Sequence, residues 1–159
     1  DAQTTGDGGT GGCVSAGDVE IRAGATMSLR SCTTRGAQAV GGGMDALSCR
    51  VAGSLHIADT GTWGEGASGG AVHTQSLVVG ESGVLQVTES IVSGEGADGG
   101  GIRAADFRVL RHQGSRGFVD LANVSAVRGS GGGIWCETCS VEGDLSIQHA
   151  STGSSRSEE

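Results

Sequence analysis

A chain of 159 residues can form one domain with a real core, and this one gives 32 of its positions to glycine and none to proline. Its net charge of -8 excludes nucleic acid and anionic membranes as partners, because neutralising phosphates takes a positive surface. No Gly-X-Y period is present, which excludes collagen, and the many Val, Leu and Ile residues exclude a disordered linker.

In chain order, one four-residue phrase organises everything else. It reads Gly11-Gly12-Cys13-Val14, Gly41-Gly42-Gly43-Met44, Gly69-Gly70-Ala71-Val72, Gly99-Gly100-Gly101-Ile102 and Gly131-Gly132-Gly133-Ile134, with closing residues 30, 28, 30 and 32 apart. A period in this range is the mark of stacked repeats. Seven residues beyond each phrase stand Ile21, Val51, Val79, Val109 and Val141. Five beyond stand Val19, Cys49, Leu77, Phe107 and Cys139, and two beyond stand Ala16, Ala46, Thr74, Ala104 and Cys136. Spacing by two is strand periodicity, and the one odd step predicts a bend between two short strands. A third strand follows at Met27/Leu29, Leu55/Ile57, Leu85/Val87, Val119/Leu121 and Leu145/Ile147.

Three short strands per repeat predict an all-β parallel β-helix of about five coils, stacked about 4.8 Å apart. Residues 1–8 are read as a lead-in, 9–150 as the repeats, and 151–159 as a polar tail or the start of further repeats. Loops between the second and third strands vary, the longest being the insertion from Arg111 to Arg116, while the return to the next glycine phrase is nearly constant. Glycine this dense argues against helices, at about 1 kcal/mol per helical position. A propeller blade needs longer repeats, and neither the leucine-rich consensus nor the calcium-binding nonapeptide is present. With only Trp63, Phe107, Phe118 and Trp135 as aromatics, the lumen has to be thin and aliphatic.

The phrase Gly-Gly-[Ala/Gly]-[Ile/Val], as in Gly69 to Val72 and Gly99 to Ile102, resembles the polymorphic outer membrane protein repeat of chlamydiae over roughly residues 9–150. The resemblance implies a right-handed, single-stranded parallel β-helix on a cell surface, associated with adhesion and carried by an autotransporter barrel. That family pairs its glycine phrase with Phe-x-x-Asn. The present chain has Leu29/Cys32, Ile57/Thr60, Val87/Ser90, Leu121/Val124 and Ile147/Ala150 there, so the resemblance extends to the type of β-helix and not to the family's partners.

The residue after each glycine phrase is expected to face outward, which aligns Asp45, His73, Arg103 and Trp135, with Glu20, Arg50 and Arg108 five positions on. An acid, an imidazole and a guanidinium one rung apart fit uronate binding or acid–base work on a polysaccharide, with Asp45, His73 and Arg103 as catalytic candidates. Trp135, Arg103 and His73 fit passive glycan binding, and Trp63 is a further indole for stacking on sugars. The plainer reading is a cross-strand ladder of ion pairs, since the two-carboxylate glycosidase scheme finds no second acid beside Asp45.

The loops Gly64-Glu65-Gly66-Ala67-Ser68 and Gly94-Glu95-Gly96-Ala97-Asp98 place Glu65 and Glu95 in adjacent coils. A calcium bridge with Asp98 is one reading and an exposed turn with splayed side chains the other. His56, His73, His112 and His149 stand beside no nucleophile motif, and no regular Thr-x-Thr rank suited to ice is present. No pattern asks for a cofactor.

Five cysteines leave at least one unpaired within the chain, and Cys136 and Cys139 read as a short structural bridge or as two small buried hydrophobes. Asn123 opens the sequon Asn-Val-Ser, a glycosylation acceptor that, with the cysteines, points outside the cell. The chain starts at Asp1 and has neither a signal-type segment nor an apolar run of about 18 residues, so a processed protein or a piece of a longer one is expected, with no membrane insertion by this segment. The resulting expectation is a non-enzymatic structural or adhesive solenoid of the cell surface. Its partners would be other surface proteins or glycans, or further copies stacked end to end.

Overall fold

A computed structural model describes residues 2–112 and 114–153. The strands in chain order are β1 (Ala2–Thr5), β2 (Val14–Ile21), β3 (Thr26–Arg35), β4 (Met44–Val51), β5 (Ser54–Trp63), β6 (Val72–Val79) and β7 (Val84–Asp98). They continue as β8 (Ile102–Val109), β9 (Arg111–His112), β10 (Ser115–Arg116), β11 (Phe118–Ser130), β12 (Ile134–Val141), β13 (Asp144–Gln148) and β14 (Ser151–Gly153). Two parallel sheets run up the column, one ordered β2, β4, β6, β8, β12 and the other β1, β3, β5, β7, β11, β13, with β14 also on β11. The result is a β-solenoid of about five turns. No helix among the described residues is long and apolar enough to cross a membrane.

The register is in step with the repeat. Ile21 pairs with Val51, Val51 with Val79, Val79 with Val109 and Val109 with Val141, in single file up the lumen. The predicted bend lies where Gly17, Leu47, Gln75, Ala105 and Glu137 are skipped in the pairing. Two inward side chains three residues apart need such a corner, since strict alternation would turn one of them to solvent.

Each coil has four straight segments where the sequence predicts three. The third strand passes a corner residue in the left-handed region, Ser31, Asp59, Glu89, Asn123 or His149, with φ of 51 to 54°, and runs on as a fourth segment. That segment escapes a search for aliphatic alternation because its inward residues are mostly small or hydroxylic: Cys32, Thr34, Thr60, Thr62 and Ser90 are all buried. Their hydroxyls are satisfied inside. Thr34 Oγ1 donates to the Gly41 carbonyl (3.2 Å), Thr62 Oγ1 to the Gly69 carbonyl (3.1 Å), Ser90 Oγ to the Gly100 carbonyl (2.8 Å), and Thr60 Oγ1 to Ser90 Oγ (3.2 Å). Backbone of the glycine phrase thus packs directly on the fourth segment. A Cβ on Gly42 would lie 2.6 Å from the Gly61 carbonyl, and one on Gly70 2.6 Å from Ser90 Oγ, so only glycine lets these walls meet.

Residues 2–5, read as part of a lead-in, form a strand of the second sheet: Ala2 to Thr5 pair with Cys32 to Arg35. At the other end, Ser151 to Gly153 continue the column on Ser125 to Val127, and residues 154–159 of the expected tail lie outside the described residues. The insertion Arg111 to Arg116 folds as a hairpin of β9 and β10, apart from Gln113, which is outside the described residues. Arg116 ties it to the last coil by donating to Asp144 Oδ1 at 3.1 Å.

Cysteine pairing adds a cross-lumen staple. Cys13 is bonded to Cys32 and Cys136 to Cys139, while Cys49 is free and buried. Cys13 holds the third place of its glycine phrase, where the other coils carry Gly43, Ala71, Gly101 and Gly133, and Cys32 begins the fourth segment of the same coil. The wall contact made elsewhere by small residues is here covalent. Burial pushes the Cys49 thiol from 9.0 up to about 12.

Candidate functional site

Outward positions on the first sheet are laid out by the same register, so Ser15, Asp45, His73, Arg103 and Trp135 occupy successive rungs of one file. Four of the five are linked. His73 Nδ1 lies 2.7 Å from Asp45 Oδ1, Arg103 Nη1 lies 3.2 Å from His73 Nε2, and the Arg103 guanidinium sits over the Trp135 ring at 4.5 Å from its centroid. Between a carboxylate and a guanidinium, the imidazole carries its proton on Nδ1 and donates it to Asp45, while Nε2 accepts from Arg103. The side chains of Asp45 and His73 are about one fifth exposed, which leaves them only partly screened by water.

The structure therefore brings together Asp45, His73, Arg103 and Trp135, the residues aligned by the sequence as catalytic or glycan-binding candidates. It also shows how they are engaged. Both His73 nitrogens are occupied and one face of Trp135 is covered by a cation, so proton transfer at Nε2 requires Arg103 to leave it. On its other side Asp45 is paired with Ser15, so no second carboxylate stands next to it in the file. The hairpin expected beside this face leaves from the far end of β8, beyond Val109, because the strand Ile102–Val109 separates Arg103 from Arg111. Glu20, Arg50 and Arg108 share a second file in which Val78 stands between the two arginines; Glu20 meets Arg22 at 3.5 Å and Arg108 meets Asp106 at 2.9 Å.

As a surface ladder, this file has a bounded energetic role. Exchanging His73 for alanine is expected to lower stability by about 1 kcal/mol or less in urea unfolding, since partly exposed pairs contribute little once desolvation is offset. A loss well above that would make the ladder a main support of the sheet.

The cation reading of Glu65, Glu95 and Asp98 is not supported. Among the described residues no three His, Cys, Asp or Glu side chains gather as a ligand set. Glu65, on the turn after β5, and Glu95, within β7, are both exposed and are joined by the Gly66 amide donating to the Glu95 carbonyl at 2.8 Å, while Asp98 lies at the end of β7, bridged to Ser68.

Trp63 lies against Gly61 with the Arg35 guanidinium 5.1 Å from its ring centroid, so this indole is covered on the column wall. Asn123 stands exposed at a corner in the left-handed conformation that asparagine tolerates, φ 54°. Of the cysteines, sequence spacing singled out Cys136 and Cys139. The Cys13 and Cys32 pair had one legible signal, a bulky residue in a place otherwise held by glycine or alanine. Comparison with protein-family models, with curated proteins and with solved structures finds no match to this chain.

Proposed function

We propose that the chain is a non-enzymatic structural or adhesive β-solenoid of the extracellular space, acting as a segment of a longer surface protein or filament. The observation that carries this reading is the closure of its most developed polar file: Asp45, His73, Arg103 and Trp135 spend their contacts on one another along a rigid column. Disulfides in the first and last coils and an exposed sequon at Asn123 support an oxidising, secretory setting. The resemblance of the glycine phrase to the chlamydial repeat supports a cell-surface role.

Passive glycan binding is the second reading, favoured by the half-buried Trp135 indole in the outward file beside Arg103. One experiment separates these from a polysaccharide-active enzyme. The purified protein is incubated with uronate-containing and neutral polysaccharides and applied to a glycan array, alongside Asp45→Ala, Arg103→Ala and Trp135→Ala. No turnover by any form is expected. Cleavage lost in both Asp45→Ala and Arg103→Ala would overturn the structural reading, whereas binding without turnover, lost in Trp135→Ala, would establish the glycan-binding one.

A further inference from the structure

A second proton on the His73 ring has only one place to go. Nδ1 already carries one and donates it to Asp45 Oδ1 at 2.7 Å, while Nε2 spends its lone pair accepting from Arg103 Nη1 at 3.2 Å. The added proton therefore lands on the atom that Arg103 occupies. There it turns an acceptor into a donor, so two N–H groups and two positive charges face each other across one gap. The other contact changes in the opposite sense, because an imidazolium donating to Asp45 makes a charge-assisted bond, stronger than the neutral one. With the Asp45 and His73 side chains about one fifth exposed, water screens neither effect fully. Protonation thus tightens the Asp45 side of the file and breaks the Arg103 side.

The chain also supplies a place for the displaced guanidinium. Asp98 ends β7, five residues before Arg103. It belongs to the file Thr10, Val40, Ser68 and Asp98, bridged from coil to coil as Ser15, Asp45, His73 and Arg103 are paired. In the first coil the two files touch, with Thr10 Oγ1 3.1 Å from Ser15 Oγ. Side chains as short as threonine and serine thus meet across the glycine phrase, and Asp98 and Arg103, both longer, stand at the equivalent places. Gly99, Gly100 and Gly101 put no side chain between them. Neither Asp98 nor Arg103 makes an ion pair with a carboxylate or a cation among the described residues in the present arrangement. Few other charges compete for His73. Its own strand and the turn before it, Ser68 to Val79, carry none, and Asp45 on β4 and Arg103 on β8 face it from either side. Beyond the bend, Asp106 and Arg108 hold each other at 2.9 Å, and Arg50 lies near the far end of β4.

We propose that this file is a pH-sensitive switch, in which protonation of His73 at Nε2 moves the Arg103 guanidinium off the imidazole and off Trp135, onto the Asp98 carboxylate. The device goes beyond the functional readings above and holds whichever of them is right. With His73 neutral, the guanidinium covers the indole at 4.5 Å from its centroid. With His73 charged, the indole loses that cover and an Nε2–H donor points into the gap that Arg103 leaves. One proton therefore changes both the charge and the aromatic surface that the outer face offers to a ligand.

Tryptophan fluorescence tests the switch. Trp63→Phe leaves Trp135 as the one tryptophan, so its accessibility reports the cover directly. Between about pH 8 and pH 5, the span over which an imidazole ordinarily changes charge, acrylamide quenching of Trp135 should rise at least about twofold in a one-proton transition. The His73 ring nitrogens, followed by heteronuclear NMR, should titrate with the same midpoint. In Trp63→Phe/His73→Gln the amide can bridge Asp45 and Arg103 without titrating, and quenching should stay flat. Asp98→Asn in the Trp63→Phe chain should keep the transition and move its midpoint down by about half a pH unit, because the acid form loses its carboxylate. Circular dichroism should match at both ends of the range in every variant. Flat quenching in Trp63→Phe, a transition that survives His73→Gln, or His73 nitrogens that titrate while Trp135 does not respond overturns the switch. An unchanged midpoint in Asp98→Asn overturns the landing of Arg103 on that residue. The polysaccharide experiment reads turnover and binding instead, so the functional readings stand or fall separately.

Discussion

Replacing Phe107 by alanine is expected to lower stability by about 3–5 kcal/mol, the range for removing a large side chain from a core that cannot collapse around the gap. Phe107 is the largest fully enclosed side chain, 1% exposed, in the file Val19, Cys49, Leu77, Phe107, Cys139. The coils above and below are fixed by backbone ladders in register, so the walls have little freedom to move inward. A solenoid holds together through neighbouring contacts, and the loss falls on two interfaces at once. Urea unfolding should show a lower midpoint, with a reduced m-value if the last coil melts ahead of the rest. Val141→Ala serves as the control: at 43% exposure it should change stability by about 0.5 kcal/mol or less. Equal effects at the two sites would mean that the lumen is not the source of stability.

Alkaline pH should destabilise the protein through one thiol. Cys49 titrates at about 12 in the folded chain against 9.0 as the ordinary value, because burial disfavours the thiolate. Above pH 9 the unfolded chain releases this proton and the folded chain keeps it, so the unfolded state binds fewer protons and stability falls as pH rises. The contribution is intact below pH 9 and is lost at about 1.4 kcal/mol per pH unit from there towards pH 12. The sequence makes the experiment clean: the chain has no lysine and no tyrosine, so no other side chain type that ordinarily titrates in this window is present apart from cysteines held in disulfides. Urea midpoints measured from pH 8 to 10.5 should decline, and Cys49→Ala should flatten the decline. A profile in which both proteins fall equally would assign the loss elsewhere.

Sequence alone determined the column. Ile21, Val51, Val79, Val109 and Val141 were legible as a single file because aliphatic side chains at a fixed phase from a glycine phrase have one place to go, the lumen. The outward file of Asp45, His73, Arg103 and Trp135 followed from the same phase. What the tertiary structure decided was each feature in which a residue's role depends on what lies across from it. Thr34, Thr60, Thr62 and Ser90 fall outside the aliphatic alternation, and they form wall because Thr34, Thr62 and Ser90 donate to glycine carbonyls opposite while Thr60 donates to Ser90 Oγ. Cys13 and Cys32 are 19 residues apart and pair only because the bend at Gly17, the turn between β2 and β3 and the corner at Ser31 bring them face to face. Glu65 and Glu95 share a motif and stand exposed, and no third ligating side chain joins them among the described residues. Periodicity carries the position of a residue along the column; the proton on His73, the cation over Trp135 and the partner of Cys13 depend on distances across it, which a linear pattern does not encode.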